Sequence, residues 1–409
     1  MRGLQYFFIV MIVVVGSTTF ANEKENDLND YISIYKKDQF NLDYDKSEAE
    51  SSKLRDSWIA PVRFNYTYSR SAPDGETLTS KTASLRIDQP IFQSGGIYYG
   101  IKFANASKRY NDYSVDVAKR KMIKEAVSLL MQIKQVELKI KKQKLQIDNA
   151  EINLLQKKEE YLNGQLDSGF LDNAIIQRNI VIQTLFDIQT TKEKLISKFQ
   201  ALSDLDYKQA PIPHLEMLTH EKFLQNNIVL KMNRAEIKKN LYKKDVTVAK
   251  YLPNINFTAG YNWNDTEQFF GSNAGIITNS VNYYDYGFKI SLPLDINTFR
   301  DIESAKIDFL KSEVVQKDKQ RELNAIYEQV MNNIKKYDKK IELSAENADI
   351  YAKLLKDTQS LFRAGYKTEY DIKTLQNSLE IQQIDSKIYD IDKQLELLTL
   401  YEMYVNEGM

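Results

Sequence analysis

Residues 122–155 read MIKEAVSLLMQIKQVELKIKKQKLQIDNAEINLL. Apolar side chains recur in steps of four and three at Met122, Ala126, Leu129, Ile133, Val136 and Ile140, then at Ile147, Ala150 and Leu154, with Gln143 as the one polar interruption. A mean step of about 3.5 residues is a coiled-coil seam. The pattern extends in both directions, because residues 100–163 contain no Pro and no Gly after Gly100. At a rise of about 1.5 Å per residue this predicts a single helix ~96 Å long. No ordinary globular core needs such a rod. It ends at Tyr161-Leu162-Asn163-Gly164, a tip spans 164–170, and a second helical pattern covers 171–200.

The same object recurs toward the C-terminus. Residues 298–364 are again free of Pro and Gly, with Leu323, Ile326, Val330, Ile334, Tyr337, Ile341, Ala345, Ala348, Ala352 and Leu355 in steps of three and four. That run stops at Gly365, a second tip spans 365–369, and a helix is expected over 370–405.

Between the rods the period changes to two. Val62-Arg63-Phe64-Asn65-Tyr66-Thr67-Tyr68-Ser69-Arg70 alternates aromatic or apolar with polar residues, which is a strand with two unlike faces. Ser71-Ala72-Pro73-Asp74-Gly75 is a turn signal, and a second strand follows over about 80–92. After Pro253 a third strand, about 254–263, sets Ile255, Phe257, Ala259, Tyr261 and Trp263 against Asn254, Asn256, Thr258, Gly260 and Asn262. Residues 264–279 read as a long polar loop. A fourth strand, about 282–294, carries Tyr284, Tyr286, Phe288, Ile290, Leu292 and Leu294 on one parity. Asn297 is placed to cap the second rod.

The chain is therefore a duplication. A first repeat, 22–220, has a polar helix broken near Asp38, two strands, a rod, a tip, a helix and a linker over 203–220. A second, 221–409, repeats the order with a helix at 221–251. Pro61 matches Pro253, Pro90 matches Pro293 and Gly164 matches Gly365. Lengths constrain the packing. The helix returning from the first tip covers only about half of its rod, and 221–251 supplies the missing length. The expected stacking is 171–200 with 221–251, and 370–405 with the N-terminal helix.

Residues 1–21 have the pattern of a secretory signal: Arg2, an apolar run from Tyr6 to Val15, and small residues before Asn22. The alternative is an N-terminal anchor, for which an apolar run of about ten residues is short. The net charge is zero, which gives no electrostatic reason to expect nucleic acid as a partner. There is no Cys. The two histidines, His214 and His220, lie in or beside the linker and make a poor metal site. Catalysis finds no support, with no His-centred triad and no Gly-rich phosphate loop. We expect no enzyme, no metal and no cofactor.

Four alternating strands of about ten residues suit a membrane β-barrel, for which a span needs roughly 9–11 residues. Phe64, Tyr66, Phe257, Tyr261, Tyr286 and Phe288 would face lipid, and 26 Tyr suit interfacial girdles. The alternative is a small soluble sheet, but the helices are committed to their seams. A membrane tolerates no open sheet edge, and four strands cannot close on themselves, so several protomers must pool them.

These residues resemble the TolC-type outer-membrane efflux proteins. The resemblance covers the mature chain. It is carried by the strand-to-helix junction Leu85-Arg86-Ile87-Asp88-Gln89-Pro90-Ile91-Phe92-Gln93-Ser94-Gly95 and by the tips. The first tip is Tyr161-Leu162-Asn163-Gly164 with Leu171-Asp172-Asn173-Ala174, and the second is Phe362-Arg363-Ala364-Gly365-Tyr366-Lys367-Thr368-Glu369-Tyr370-Asp371-Ile372. It implies a mixed fold in which a homotrimer pools twelve strands into one outer-membrane β-barrel and projects an α-helical coiled-coil barrel into the periplasm. It implies a passive exit duct of a tripartite efflux or type I secretion system, with a periplasmic adaptor and an inner-membrane pump as partners.

The tips would be the adaptor-facing end, with Gly164, Leu166, Asn173, Ala174, Gly365, Tyr366 and Lys367 as docking candidates. Family members carry an acidic, cation-sensitive ring at the second tip. Asp371 matches one such position, Thr374 stands where a second acid often lies, and Glu369 is nearby. A helix-capping carboxylate is the competing reading of Asp371. Phe170 corresponds to Asp371 at the first tip, so the two tips are not equivalent. Two other classes are weighed. One is a non-transporting coiled-coil scaffold. The other is a periplasmic adaptor, which needs one hairpin where this chain has two.

Overall fold

The computed structural model describes residues 28–72, 77–269 and 275–405. The expected signal segment, Pro73-Asp74-Gly75 of the first turn and the centre of the polar loop lie outside them. A 3-10 turn, Leu28–Tyr31, leads into α1 (Ile34–Arg55). Then come β1 (Arg63–Ser71), β2 (Thr77–Phe92), α2 (Gly96–Leu162), α3 (Ser168–Gln200), α4 (His220–Gln225) and α5 (Ile228–Lys250). The second set of strands is β3 (Asn254–Phe269) and β4 (Ile276–Ser291), followed by α6 (Thr298–Arg363) and α7 (Glu369–Tyr401).

The strands form one antiparallel sheet in the order β1-β2-β3-β4. β2 and β3 pair along nearly their whole length although a complete helical hairpin separates them in sequence. Two long-range packing layers lie below. In the half next to the sheet, α2 packs between α1 and α5, and α5 packs on α6. In the half next to the tips, α2 packs between α3 and α7, and α7 packs on α6. So α1 and α3 lie along one edge of a sheet of helices and α6 along the other.

Several boundaries differ from the sequence reading. α1 runs unbroken through Asp38 and starts at Ser33, whose hydroxyl caps it by accepting from the Lys36 N–H. The polar stretch 264–279 is strand at both ends, with pairing out to Phe269↔Ile276. Polarity there reports which solvent the strands meet, while the ladder needs only backbone groups. Lys81 bridges the polar end, 3.0 Å from Glu267 and 3.7 Å from Asp265. Asn297 sits at the N-cap position of α6, just before Thr298, but its side chain makes no cap bond. Asp295 holds that end instead, its carboxylate accepting from the Asn297 N–H at 2.8 Å.

The predicted helix 221–251 is two helices, divided at Asn226-Asn227. Asn227 is fully buried and its side-chain oxygen accepts from the N–H groups of Val229 and Leu230. The break exists because the end of α7 docks there. The Ile228 N–H donates to the Met403 carbonyl at 2.8 Å, and the Val405 N–H to the Asn226 carbonyl at 2.9 Å. α7 is therefore stacked on α5. At the matching joint the Ser33 N–H donates to the Leu202 carbonyl at 2.8 Å and the Ile34 N–H to the Asp204 carboxylate at 2.9 Å. α3 is therefore stacked on α1. The expected pairing was the reverse. The length argument holds, but α1 and α5 have 22 and 23 residues, so length could not choose between them.

The core lies at these joints, midway along the rods. Phe199, Leu215, Leu218 and Phe223 from the linker side meet Tyr31, Leu397, Leu398 and Leu400, all against Val127, Leu130 and Ile133 of α2 and Leu323 and Ile334 of α6. Residues 201–219, an irregular linker, thus contribute Ala210, Leu215 and Leu218 to the core. Tyr31 and Tyr327 anchor it by donating their hydroxyls to the Pro211 and Leu218 carbonyls.

Candidate functional site

The sheet register fixes the two faces. Phe64↔Leu85, Leu85↔Tyr261 and Tyr261↔Tyr284 form one row across all four strands. Adjacent rows on this face hold Tyr66, Ala83 and Trp263; Ile87, Ala259 and Tyr286; and Gln89, Phe257 and Phe288. Phe64, Tyr66, Tyr261, Tyr286 and Phe288 are exposed, and the Phe257 and Phe288 rings meet at 5.7 Å. The aromatic face ends at the Lys81, Asp265 and Glu267 cluster. Between the Phe92↔Ile255 row and that of Trp263 the apolar band spans eight residue steps, roughly 27 Å along a strand. On strands tilted by about 40° that is a band roughly 21 Å tall, against about 25 Å in membrane barrels. No helix among the described residues is long and apolar enough to cross a membrane. The opposite face carries Asn65, Ser84 and Asn262, then Thr67, Thr82 and Asn264, with a few charges below them.

At the other end the tips share one construction. Gly164 and Gly365 take φ of 73° and 80°. The Gln165 N–H reaches back to the Glu160 carbonyl, and the Tyr366 N–H to the Leu361 carbonyl, each at 2.9 Å. These are six-to-one closures that only a residue tolerating positive φ permits cheaply. Asp167 then caps α3 and Thr368 caps α7.

Asp371 is committed to that cap. Its carboxylate accepts from the Thr368 N–H and from the Thr368 hydroxyl, both at 2.9 Å, while the Asp371 N–H donates to the same hydroxyl. Lys367 lies 3.6 Å away. The Thr368 N–H, chiefly, holds the Asp371 carboxyl below the ordinary carboxylate range; partial burial opposes this, and the Thr368 hydroxyl and Lys367 add to it. Glu369 is exposed beside it, and Thr374 is half-buried. Tyr366 is 80% exposed, and Gly164, Asn173, Gly365 and Lys367 are exposed too, with Leu166 half-buried. Ala174, expected among the docking residues, is buried at 5% exposure, because that side of α3 faces α2; it is not presented on the tip surface.

Sequence reasoning missed the polar residues that join the two hairpins. Gln135, Lys142 and Asn149, seven residues apart on α2, bond Asp392, Asp385 and Asn377 of α7 at 2.6, 2.7 and 2.8 Å. At the bottom the Tyr370 hydroxyl donates to Glu159 at 3.2 Å. The seven-residue spacing of Gln135, Lys142 and Asn149 was the available signal, beside the apolar seam that drew the reading.

Residues 220–403 match the family described as Outer membrane efflux protein. A search of curated proteins finds no match. Among solved structures, the Campylobacter jejuni CmeC outer membrane channel superposes with a TM-score of 0.71 at 12% identity, covering 92% of this chain and 84% of that one. The outer membrane protein VceC of Vibrio cholerae gives 0.69 at 12% identity, covering 93% and 96%. The open state of the Neisseria gonorrhoeae MtrE channel gives 0.61 at 12%, covering 92% and 87%. At such identity these three speak to the fold. Residues 220–403 thus carry an outer membrane efflux protein domain, and the chain along nearly its whole length has the fold of outer membrane channels such as CmeC and VceC.

Proposed function

We propose that three copies of this chain pool their sheets into one twelve-stranded barrel and their helices into one periplasmic tube, and that this trimer is the passive outer conduit for a periplasmic adaptor and an inner-membrane pump. The observation that carries the reading is the open sheet. β1 and β4 are edge strands, each aromatic on one face, and lipid leaves no backbone group unpaired. Closing β4 of one copy on β1 of the next removes every edge. The helical layer agrees with it. Ile307, Val314, Leu343 and Ile350 are exposed along α6, and Ile34, Leu42, Ile176 and Ile180 along the α1 and α3 edge. Each edge is an apolar strip wanting a partner, and they lie on opposite sides of the protomer.

In this assembly the tip residues Gly164, Leu166, Asn173, Gly365, Tyr366 and Lys367 form the adaptor end. Asp371 from each copy, with Glu369, forms an acidic ring around the threefold axis. Thr374 adds no second ring of charge. Native mass spectrometry in mild detergent tests the assembly, together with planar-bilayer recording of the same sample. A trimer that conducts ions is expected. A conducting monomer, or a trimer that conducts nothing, would overturn it.

A further inference from the structure

The polar face of the sheet carries five charges among the described residues: Arg63, Arg86, Asp88, Asp285 and Lys289. They are not spread evenly. Arg63 of β1 and Arg86 of β2 are direct cross-strand partners. Like charges placed opposite one another destabilise a strand pair, so this juxtaposition has no structural benefit. Both arginines are exposed, and neither makes an ion pair or a hydrogen bond among the described residues.

The acids nearby are occupied and turned elsewhere. Gly260 continues the row from Arg86, and Asp285 follows it. The Asp285 carboxylate lies across Gly260, so close that a Cβ there would stand 2.8 Å from Oδ1. Asp285 Oδ1 also accepts from the Asn262 amide at 2.9 Å. One row below, Asp88 accepts from the Asn256 amide at 2.8 Å. Each carboxylate is thus bonded by an asparagine of β3, while Arg63 and Arg86 are exposed and unbonded among the described residues.

We infer that Arg63 and Arg86 form an oxyanion-binding station in the barrel lumen, taking carboxylate, sulfate or phosphate groups of solutes on their way out. This rests on the proposed trimer, which turns the polar face inward and repeats the arginine pair three times at one level. Two guanidiniums on adjacent strands are about 5 Å apart at the backbone, a spacing from which both forks can reach one oxyanion. Arginine is the suitable residue, since its planar fork matches such groups bidentately and its charge cannot be titrated away. A water-filled bore with low-dielectric walls focuses the field of the pairs. The duct then has an acidic mouth at the tip and a basic band in the barrel, so charge sorting differs at its two ends.

The test is block of single-channel current by inorganic tripolyphosphate added on the barrel side, with reversal potentials measured in a KCl gradient. Wild type, R63Q/R86Q and D371N are compared. The arginine double variant should need about tenfold more tripolyphosphate for half block, the loss of one strong bidentate contact, and its reversal potential should shift toward cation preference. D371N should leave this block unchanged. Removing opposed like charges should not impair assembly; R86Q alone is the second variant, with about a threefold weakening expected. Conducting trimers of either variant that block and select like wild type would overturn the station while leaving the duct intact. A wild-type chain that forms no conducting trimer would overturn the barrel first and the station with it.

Discussion

The Tyr370 hydroxyl, in the first turn of α7, donates to the Glu159 carboxylate near the end of α2 at 3.2 Å. It ties the two hairpins near the tips and continues the series of Asn377 with Asn149, Lys142 with Asp385 and Gln135 with Asp392 on the same seam. Within each hairpin ion pairs recur as well, Lys192 with Glu137 and Arg178 with Glu151 across α2 and α3, and Lys393 with Asp338 across α6 and α7. The seam between hairpins is held by polar groups at intervals. Exposed hydrogen bonds of this kind contribute little singly, because water competes for both partners. Tyr370→Phe should leave trimer melting nearly unchanged yet speed hydrogen exchange at 155–165 and 366–374. Unaltered exchange at both tips would show that the bond holds nothing. The Glu159 charge, first, and the bond to it raise the Tyr370 phenol above its ordinary value. The tie is therefore complete at neutral pH and is lost only as strongly alkaline conditions ionise the phenol.

Asp371 should make the start of α7 acid-sensitive. Its folded carboxyl is held below the ordinary range, so the cap's contribution is fully present above that range and is lost as pH falls through the lowered folded value. Exchange at 368–372, corrected for the intrinsic rate, should rise in acid in wild type and rise less in Asp371→Asn, whose amide oxygen still accepts but does not titrate. Parallel pH dependence in both proteins would remove the carboxylate from the cap.

The same Asp371→Asn change should weaken block by trivalent cations added from the tip side and lower cation preference, leaving the trimer intact. Glu369→Gln should do less. Unchanged block in both variants would leave Asp371 as a helix cap only.

For the membrane face, Phe257→Arg should destabilise insertion by about 2–4 kcal/mol if its row lies near the bilayer midplane. Thr258→Arg, one residue along and on the polar face, should be tolerated. Refolding titrations into lipid vesicles measure both. Equal penalties would mean that the sheet does not separate lipid from water.

The α7–α5 joint depends on Asn227. Its oxygen caps α5 from a fully buried position, while its amide nitrogen has no hydrogen-bond partner among the described residues. Asn227→Ala should cost about 1–2 kcal/mol through the lost cap, read as a lower urea midpoint. No change would mean that the Ile228 and Val405 backbone bonds suffice.

Local chemistry was legible because it is periodic. The heptads of α2 and α6, the alternation from Phe64 to Tyr68 and from Ile255 to Trp263, and the closing glycines Gly164 and Gly365 each state their local structure without reference to anything distant. Parity set the aromatic side of each strand, and the register between strands put Phe64, Tyr261 and Tyr286 on one face. Other features needed the tertiary structure. Two helices of 33 residues can each be stacked on one of 22 or one of 23, and only the contacts of Ser33 with Leu202 and of Ile228 with Met403 choose α3 on α1 and α7 on α5. The break at Asn227 has no helix-breaking residue behind it; it exists because the end of α7 competes for the same backbone groups. The Arg63 and Arg86 pairing depends on strand register, and the Glu159 and Tyr370 bond on two tips meeting at one level. Periodicity is a property of neighbours in sequence, and these arrangements belong to residues far apart in it.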